Sequence, residues 1–315
     1  MAADQLLTAF REVFARDNAR TPVPDWMVSW AALDNLKMDL PQEVSDGYSG
    51  IEDVRKSYCL ARAYAVLRFF EQPYTHPYPG FSDYVRGLIE RHKTFDRSML
   101  RTLGIYGEDL EADIETYAHY TSEDFVFQTM IPMPRRRQVR RILDYGAGNG
   151  RQLSQWAHED IERYVAVDAI PFSYCVQNAI FGASGKELDD YVWTPDDFIV
   201  DGGSALVKHL PAWRHDLLPN DYFDLVITIM VLPELHPKLI YHLLALVQRV
   251  LKPGGAFYIR DWDNSNRHNN LRLTELISSF GFVLEYRPHL DAGRDVYGIP
   301  RLWRKREEAS ITSMA

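Results

Sequence analysis

Apolar positions recur along this chain at two spacings, and the change from one to the other falls near residue 140. In "DQLLTAFREVFARD", Leu6, Leu7, Phe10, Val13 and Phe14 share one face at helical spacing. "IEDVRKSYCLARAYAVLRFFEQ" repeats the pattern at Val54, Tyr58, Ala61, Ala65 and Phe69. Between helices, "QPYTHPYPGFSDY" from Gln72 to Tyr84 carries three prolines and a glycine, which stop a helix from continuing. Residues 1–135 are therefore predicted to be mainly helical.

Beyond Arg140, short apolar runs alternate with helical periodicity. "RILDYG", "YVAVDA", "FDLVITIMVL" and "AFYIRDW" read as strands. Each is followed by a helical stretch, respectively "GRQLSQWAHE", "FSYCVQNAIFG", "KLIYHLLALVQRVL" and "NNLRLTELISSFG". "FVLEYRP" and "RLWRKR" close the series as strands. Such alternation predicts an α/β fold, a doubly wound, mostly parallel sheet with helices on both faces. The stretch from Gly185 to Asp216 should supply one more strand, either around Asp197 to Val200 or just before Asp216.

Composition narrows the class. A chain of 315 residues, 46% hydrophobic and 25% charged, has the makeup of an ordinary globular protein. Its net charge of −9 argues against nucleic acid as a partner. The run "PRRRQVRR" from Pro134 to Arg141 is the local exception, and a short charge run is usually a solvated linker. Cys59 and Cys175 lie far apart with no CxxC partner, so a reducing, cytoplasmic setting is the expectation. The N-terminus mixes charge into its apolar pattern and does not read as a signal peptide. No apolar stretch approaches the roughly 18 residues that span a bilayer, so no membrane partner is expected.

The chemistry concentrates in "RILDYGAGNGRQ", Arg141 to Gln152. Asp144 ends a strand, and Gly146, Ala147, Gly148 and Gly150 form a loop that leads into a helix. Glycines permit a tight turn and close approach of a ligand to the backbone, and a helix start presents free N–H groups. A dinucleotide site uses G-x-G-x-x-G, with a pyrophosphate on the helix N-terminus. Here the spacing is G-x-G-x-G, and Arg151 stands where the third glycine of that pattern belongs. Asp144 would repel a pyrophosphate but suits an ammonium group, which points to S-adenosylmethionine. Asp168 ends the second strand, where a carboxylate can accept ribose hydroxyls. Ala169 and Ile170 offer an apolar surface for adenine. The other reading of the three glycines is a tight strand–helix turn and nothing more.

These motifs resemble the class I S-adenosylmethionine-dependent methyltransferases. "ILDYGAGNG" is similar to that family's first motif and "VAVDA" to its second. "YFDLVITIMVLPELHP" resembles the fourth, and "VQRVLKPGGAFYIRD" the helix, Pro-Gly-Gly turn and strand that follow. The resemblance covers roughly Arg140 to Arg306 and implies a seven-stranded methyltransferase-type sheet in residues 136–315. It also implies S-adenosylmethionine as cofactor, with S-adenosylhomocysteine as product. The family's adenine-contacting acid falls on Asp216, or alternatively on Asp201. Gly254 and Gly255 in "KPGG" read as structural, ending a helix and starting a strand.

Methyl transfer from a sulfonium is an in-line displacement that must align the acceptor and, for a hydroxyl, remove a proton. After the fourth-motif strand come Glu234 and His236, and an imidazole titrates near neutrality. His236 could equally cap the helix that follows. The next strand ends with Asp261, a second candidate base, and Asp261, Asp263 and His268 together could ligate a divalent metal. A polar substrate-facing loop or a helix cap from Asn264 or Ser265 is the preferred reading, so no metal is expected. The N-terminal helices are expected to build the acceptor pocket or lid. Tyr117, Tyr120, Phe125 and Phe127 could close over the cofactor's methionine end, where an aromatic face suits a sulfonium; for any one of them ordinary core packing is the other reading.

The resulting expectation is a methyltransferase of a small molecule, an O-methyltransferase acting on a sugar or a secondary metabolite in natural-product biosynthesis. A member of this fold repurposed for cyclisation or elimination would carry the same loop. The expected partners are a small-molecule acceptor and, as an assembly, a homodimer. The nucleobase methyltransferases show Asn/Asp-Pro-Pro-Tyr or Pro-Cys after the fourth strand. Leu232, Pro233 and Glu234 match neither.

Overall fold

The computed structural model describes residues 3–23, 50–59, 81–130, 138–232, 235, 237–261, 272–287 and 299–307. Among the described residues, four α-helices precede the sheet: α1 (Ala3–Arg20), α2 (Ile51–Cys59), α3 (Phe81–Thr102) and α4 (Glu111–Met130). The strands are β1 (Arg141–Tyr145), β2 (Arg163–Asp168), β3 (Leu188–Asp190), β4 (Val207–Pro211), β5 (Phe223–Ile229), β6 (Leu251–Asp261), β7 (Phe282–Tyr286) and β8 (Ile299–Lys305). Helices α5 (Leu153–Trp156), α6 (Pro171–Ala183), α7 (Pro237–Val250) and α8 (Leu273–Ser279) lie among them. A 3₁₀ segment covers Ala212–Leu217.

The sheet order is β3-β4-β2-β1-β5-β6-β8-β7. Strands β1 to β6 pair in parallel, and β8 runs antiparallel to both β6 and β7. The mostly parallel α/β sheet agrees with the sequence pattern, with one strand more than seven. The addition is β3, a three-residue strand that pairs with β4 at the edge. Of the two positions expected for the strand after α6, the later one holds, because β4 ends shortly before Asp216.

Local chemistry explains the element boundaries. Helix α6 starts at Pro171, whose fixed φ suits a first helical position. The helix expected over Gly150 to Glu159 contracts to Leu153–Trp156. Its flanks close by i→i−3 bonds instead, as from Leu153 N–H to Gly150 O and from Ser154 N–H to Arg151 O. Helix α3 begins at Phe81, directly after the proline-rich stretch, so "FSDY" is helical and not part of the turn. In "KPGG", Gly254 has φ +73°, and a Cβ on Gly255 would come within 2.8 Å of the Lys252 carbonyl. The turn therefore needs both glycines.

Helix α4 departs most from the amphipathic pattern of a surface helix. Thr116, Thr121, Ser122, Asp124, Gln128 and Thr129 are all buried along with its apolar residues. It is enclosed by α2, α3, α5, β6 and β8. Its polar side chains are accordingly paired: Gln128 donates to Gln152 and accepts from the Trp156 indole N–H. Helix α1 docks through Phe10, which packs at 4.9 Å against both Tyr174 of α6 and Trp213 of the 3₁₀ segment. The buried apolar residues from Leu6 to Trp303 form one cluster.

Ala61, Ala65 and Phe69 lie outside the described residues, as do Pro134 to Arg137 of the basic run. Its last two arginines are in surface ion pairs, Arg140 with Asp160 and Glu162, and Arg141 with Glu162. Cys175 is a buried free thiol. Among the described residues no helix is long and apolar enough to cross a membrane.

Candidate active site

The carboxyl ends of β1 and β2 carry the glycine loop. Gly146, Gly148 and Gly150 all adopt positive φ, at 72°, 60° and 74°. That backbone region penalises any residue with a Cβ. Their surroundings differ. A Cβ on Gly146 would meet Val231 Cγ2 at 2.4 Å, and one on Gly150 would meet Phe181 Cε1 at 2.6 Å. A Cβ on Gly148 would meet nothing within 4 Å. Two glycines are thus required by the packing of the turn, and the third faces open space.

Two buried acids flank this space. Asp144 accepts a hydrogen bond from the Tyr164 hydroxyl. Burial pushes its carboxyl up to about 7, against the lowering effect of that bond and of Arg151. Asp168 is held by three donors. Its Oδ1 accepts from Ile170 N–H at 3.0 Å, and its Oδ2 from Gly148 N–H at 3.1 Å and Gln177 Nε2 at 2.8 Å. Burial raises the Asp168 carboxyl, and these donors oppose the shift. A carboxylate offers about four acceptor positions, so one remains on Oδ1 for a ligand. Ala147 is buried, and Ala169 and Ile170 are half-buried after β2. These residues fit an adenosyl group bearing an ammonium: an open glycine cradle, an acid on each side and an apolar wall.

Helix α4 covers the loop from one side. Arg151 donates to Asp124 Oδ2 at 2.8 Å and to Thr121 Oγ1 at 2.9 Å. Asp124 is fully buried and also accepts from Tyr258 at 2.7 Å, Arg260 at 2.9 Å and Gln152 at 3.2 Å. Burial would raise this carboxyl, but Arg260 and Arg151 outweigh it and hold it below its ordinary value. Next to it, Glu123 lies 3.6 Å from Arg260 Nη2. Burial pushes Glu123 up to about 7, with Arg260 opposing. The Arg260 guanidinium also sits 5.4 Å over the Tyr120 ring. Arg260 is paired with Ile229 at the carboxyl end of β5. Residues 120–124 therefore run across the carboxyl edge of the sheet, from the glycine loop to β6.

The loop after β5 begins under strain. Met230 has φ +57°, an uncommon conformation for a non-glycine residue that clusters at functional sites. The Leu232 N–H donates to Asp261 Oδ2 at 2.9 Å, so the Asp261 carboxylate braces this loop. Arg301 donates to the Asp261 carbonyl at 2.9 Å.

The structure gathers Asp144, Gly146, Ala147, Gly148, Gly150 and Asp168 of the expected site into one crevice. Tyr120 and Asp261 lie toward β6. Asp216 stands apart on the 3₁₀ segment, 59% exposed and forked onto Arg214. Asp201 is exposed in the β3–β4 connection. Glu234, His236, Asp263 and His268 lie outside the described residues. The other aromatic candidates are buried elsewhere: Tyr117 donates to Ser57 O, Phe125 packs on Trp156, and Phe127 packs on Tyr286. Glu123, Asp124, Arg260, Gln177 and His209 are additions that no motif announced. The one available signal was an acidic pair, Glu123 and Asp124, in the half of the helix that carries no exposed residue among those described.

The model of a methyltransferase-domain family matches residues 117–291. No curated protein matches the chain significantly. Solved structures similar to it include the N-methyltransferase NodS from Bradyrhizobium japonicum in complex with S-adenosylhomocysteine. It is 11% identical, with 69% of this chain and 99% of that chain covered, at a TM-score of 0.42. An S-adenosylmethionine-dependent methyltransferase from Mesorhizobium loti is 16% identical, covering 55% and 93% at a TM-score of 0.38. The [4+2]-cyclase SpnF is 14% identical, covering 61% and 82% at 0.43.

Proposed function

The chain belongs to the methyltransferase-domain family that its residues 117–291 match, and on that premise we propose that it transfers a methyl group from S-adenosylmethionine to a hydroxyl of a small molecule such as a sugar or secondary metabolite. The observation that carries the reading is the pairing of an open Gly148 with two buried flanking acids, Asp144 and Asp168. When bound there, the cofactor supplies an electrophilic methyl group. Asp144 takes the ammonium, Asp168 a ribose hydroxyl, and Ala169 and Ile170 the adenine face.

The acceptor then lies between the loop after β5 and α4, and its proton needs a base. Glu234 and His236 are candidates by side-chain type. Glu123 joins them, because a carboxyl raised to about 7 is poised for proton transfer near neutral pH. Tyr120 and Arg260 complete that wall. Asp261 supports the loop from beneath.

The test is formation of S-adenosylhomocysteine when the purified protein meets S-adenosylmethionine and a panel of sugars, phenols and aliphatic alcohols. Acceptor-dependent formation supports methyl transfer. Tight cofactor binding with no S-adenosylhomocysteine from any acceptor supports the repurposed, non-methylating reading instead.

A further inference from the structure

The edge strand β3 brings Asp190 opposite His209 of β4. From there a chain of buried hydrogen bonds runs to the glycine loop. Asp190 Oδ2 lies 2.7 Å from His209 Nδ1, and His209 Nε2 lies 3.0 Å from Gln177 Oε1. Gln177 Nε2 reaches both the Gly148 carbonyl at 2.7 Å and Asp168 Oδ2 at 2.8 Å. Asp190, His209 and Gln177 are buried, and Tyr174 stacks on the imidazole at 3.7 Å.

Donor and acceptor accounting fixes the direction of this chain. The Gly148 carbonyl can only accept, so the Gln177 amide nitrogen must face it. Both amide hydrogens are then used, one on Gly148 O and one on Asp168. The amide oxygen must in turn accept from His209 Nε2–H. At the far end, Asp190 Oδ1 accepts from the Tyr174 hydroxyl and Val192 N–H, and its Oδ2 accepts from Asn178. The imidazole thus bridges Asp190 at Nδ1 and the Gln177 amide oxygen at Nε2.

We propose that Gln177 and His209 are positioning residues for the nucleoside: with Asp190 they lock Asp168 Oδ2 and the Gly148 carbonyl to the protein, which leaves Asp168 Oδ1 as the oxygen that receives the ribose. The inference rests on the cofactor reading above. It also gives β3 a role, since this strand delivers the acid that orients His209. A histidine that merely satisfied the core would affect folding but not ligand affinity. A positioning histidine controls affinity through the amide it orients.

The test is calorimetric titration of S-adenosylhomocysteine into the full chain and into folded Gln177→Leu, His209→Leu and His209→Gln. Loss of one buried hydrogen bond to a charged partner predicts at least about tenfold weaker binding by Gln177→Leu and His209→Leu. A glutamine at position 209 still presents an N–H where ring Nε2 stood. His209→Gln should therefore stay within about threefold of wild type, although it loses Asp190 as fully as the leucine variant does. Wild-type affinity in both leucine variants overturns the proposal, as does equal weakening by His209→Gln and His209→Leu. If the leucine variants do not fold, Gln177→Glu, which has the same shape, sets a carboxylate oxygen against Asp168. Unchanged affinity there overturns the proposal, and weakening of about tenfold or more supports it. Failure of the wild type to bind overturns the cofactor reading itself, and this inference with it.

Discussion

Arg151 of the glycine loop and Asp124 of α4 meet at 2.8 Å, with Asp124 fully buried. The residue that replaces a dinucleotide-type glycine is thus the one that ties the loop to the helix covering it. Asp124 serves Arg260 in the same way from the other side. Removing one partner of a buried ion pair leaves an uncompensated charge, which costs about 3–5 kcal/mol. Asp124→Ala is expected to lose at least that much stability in urea unfolding. A loss under about 1 kcal/mol, the value of an exposed pair, would show that the hub is not structural.

The three loop glycines should separate by phenotype. Gly146→Ala and Gly150→Ala drive a Cβ into Val231 and Phe181, and are expected to lower the melting temperature markedly. Gly148→Ala has room and incurs mainly the cost of positive φ, about 1–2 kcal/mol. It should fold, yet bind S-adenosylhomocysteine at least about tenfold more weakly, because the new methyl group enters the cradle. Normal affinity in Gly148→Ala would place the ligand elsewhere.

Asp144 gives stability a pH dependence of definite sign. Burial raises its carboxyl to about 7, so the folded chain keeps a proton that the unfolded chain has lost. Its contribution to stability falls as pH rises from about 4 to about 7, and is level above that. Asp144→Asn abolishes this term. From pH 5 to pH 8 the wild type should lose more stability than the variant, measured as urea midpoints. Equal losses would mean that Asp144 is ionised throughout. Glu123 has the same sign, and Glu123→Gln should behave likewise.

The parallel core was legible because its strands are continuous apolar runs and its turns carry glycine. Strand β3 was not, since Leu188, Asp189 and Asp190 offer neither an apolar run nor alternation. Strand β4 was legible only as one of two alternative positions, for a related reason: it buries Lys208 and His209, whose partners Asp189 and Asp190 come from β3. The glycine loop and its two acids were readable as local sequence. Asp124 was not, because its partners Arg151 and Arg260 stand 27 and 136 positions away. Only folding brings such charges together, and no spacing rule encodes them.

Asp261 can be told from a base by its amide. Asparagine keeps the acceptor that the Leu232 N–H needs, whereas alanine loses it. With an acceptor in hand, Asp261→Asn should retain activity within about threefold, and Asp261→Ala should lose it by roughly tenfold or more, as the strained Met230 loop is freed. Inactivity of the asparagine variant, with its fold intact, would make Asp261 the base.

A crystal structure of the full chain with S-adenosylhomocysteine decides whether the loop from Gly146 to Gly150 holds S-adenosylmethionine. The nucleoside should lie over Gly148, with a ribose hydroxyl within hydrogen-bond distance of Asp168 Oδ1 and the ammonium directed at Asp144. A ligand bound away from this loop, with Asp168 making only its present three protein contacts, would contradict it.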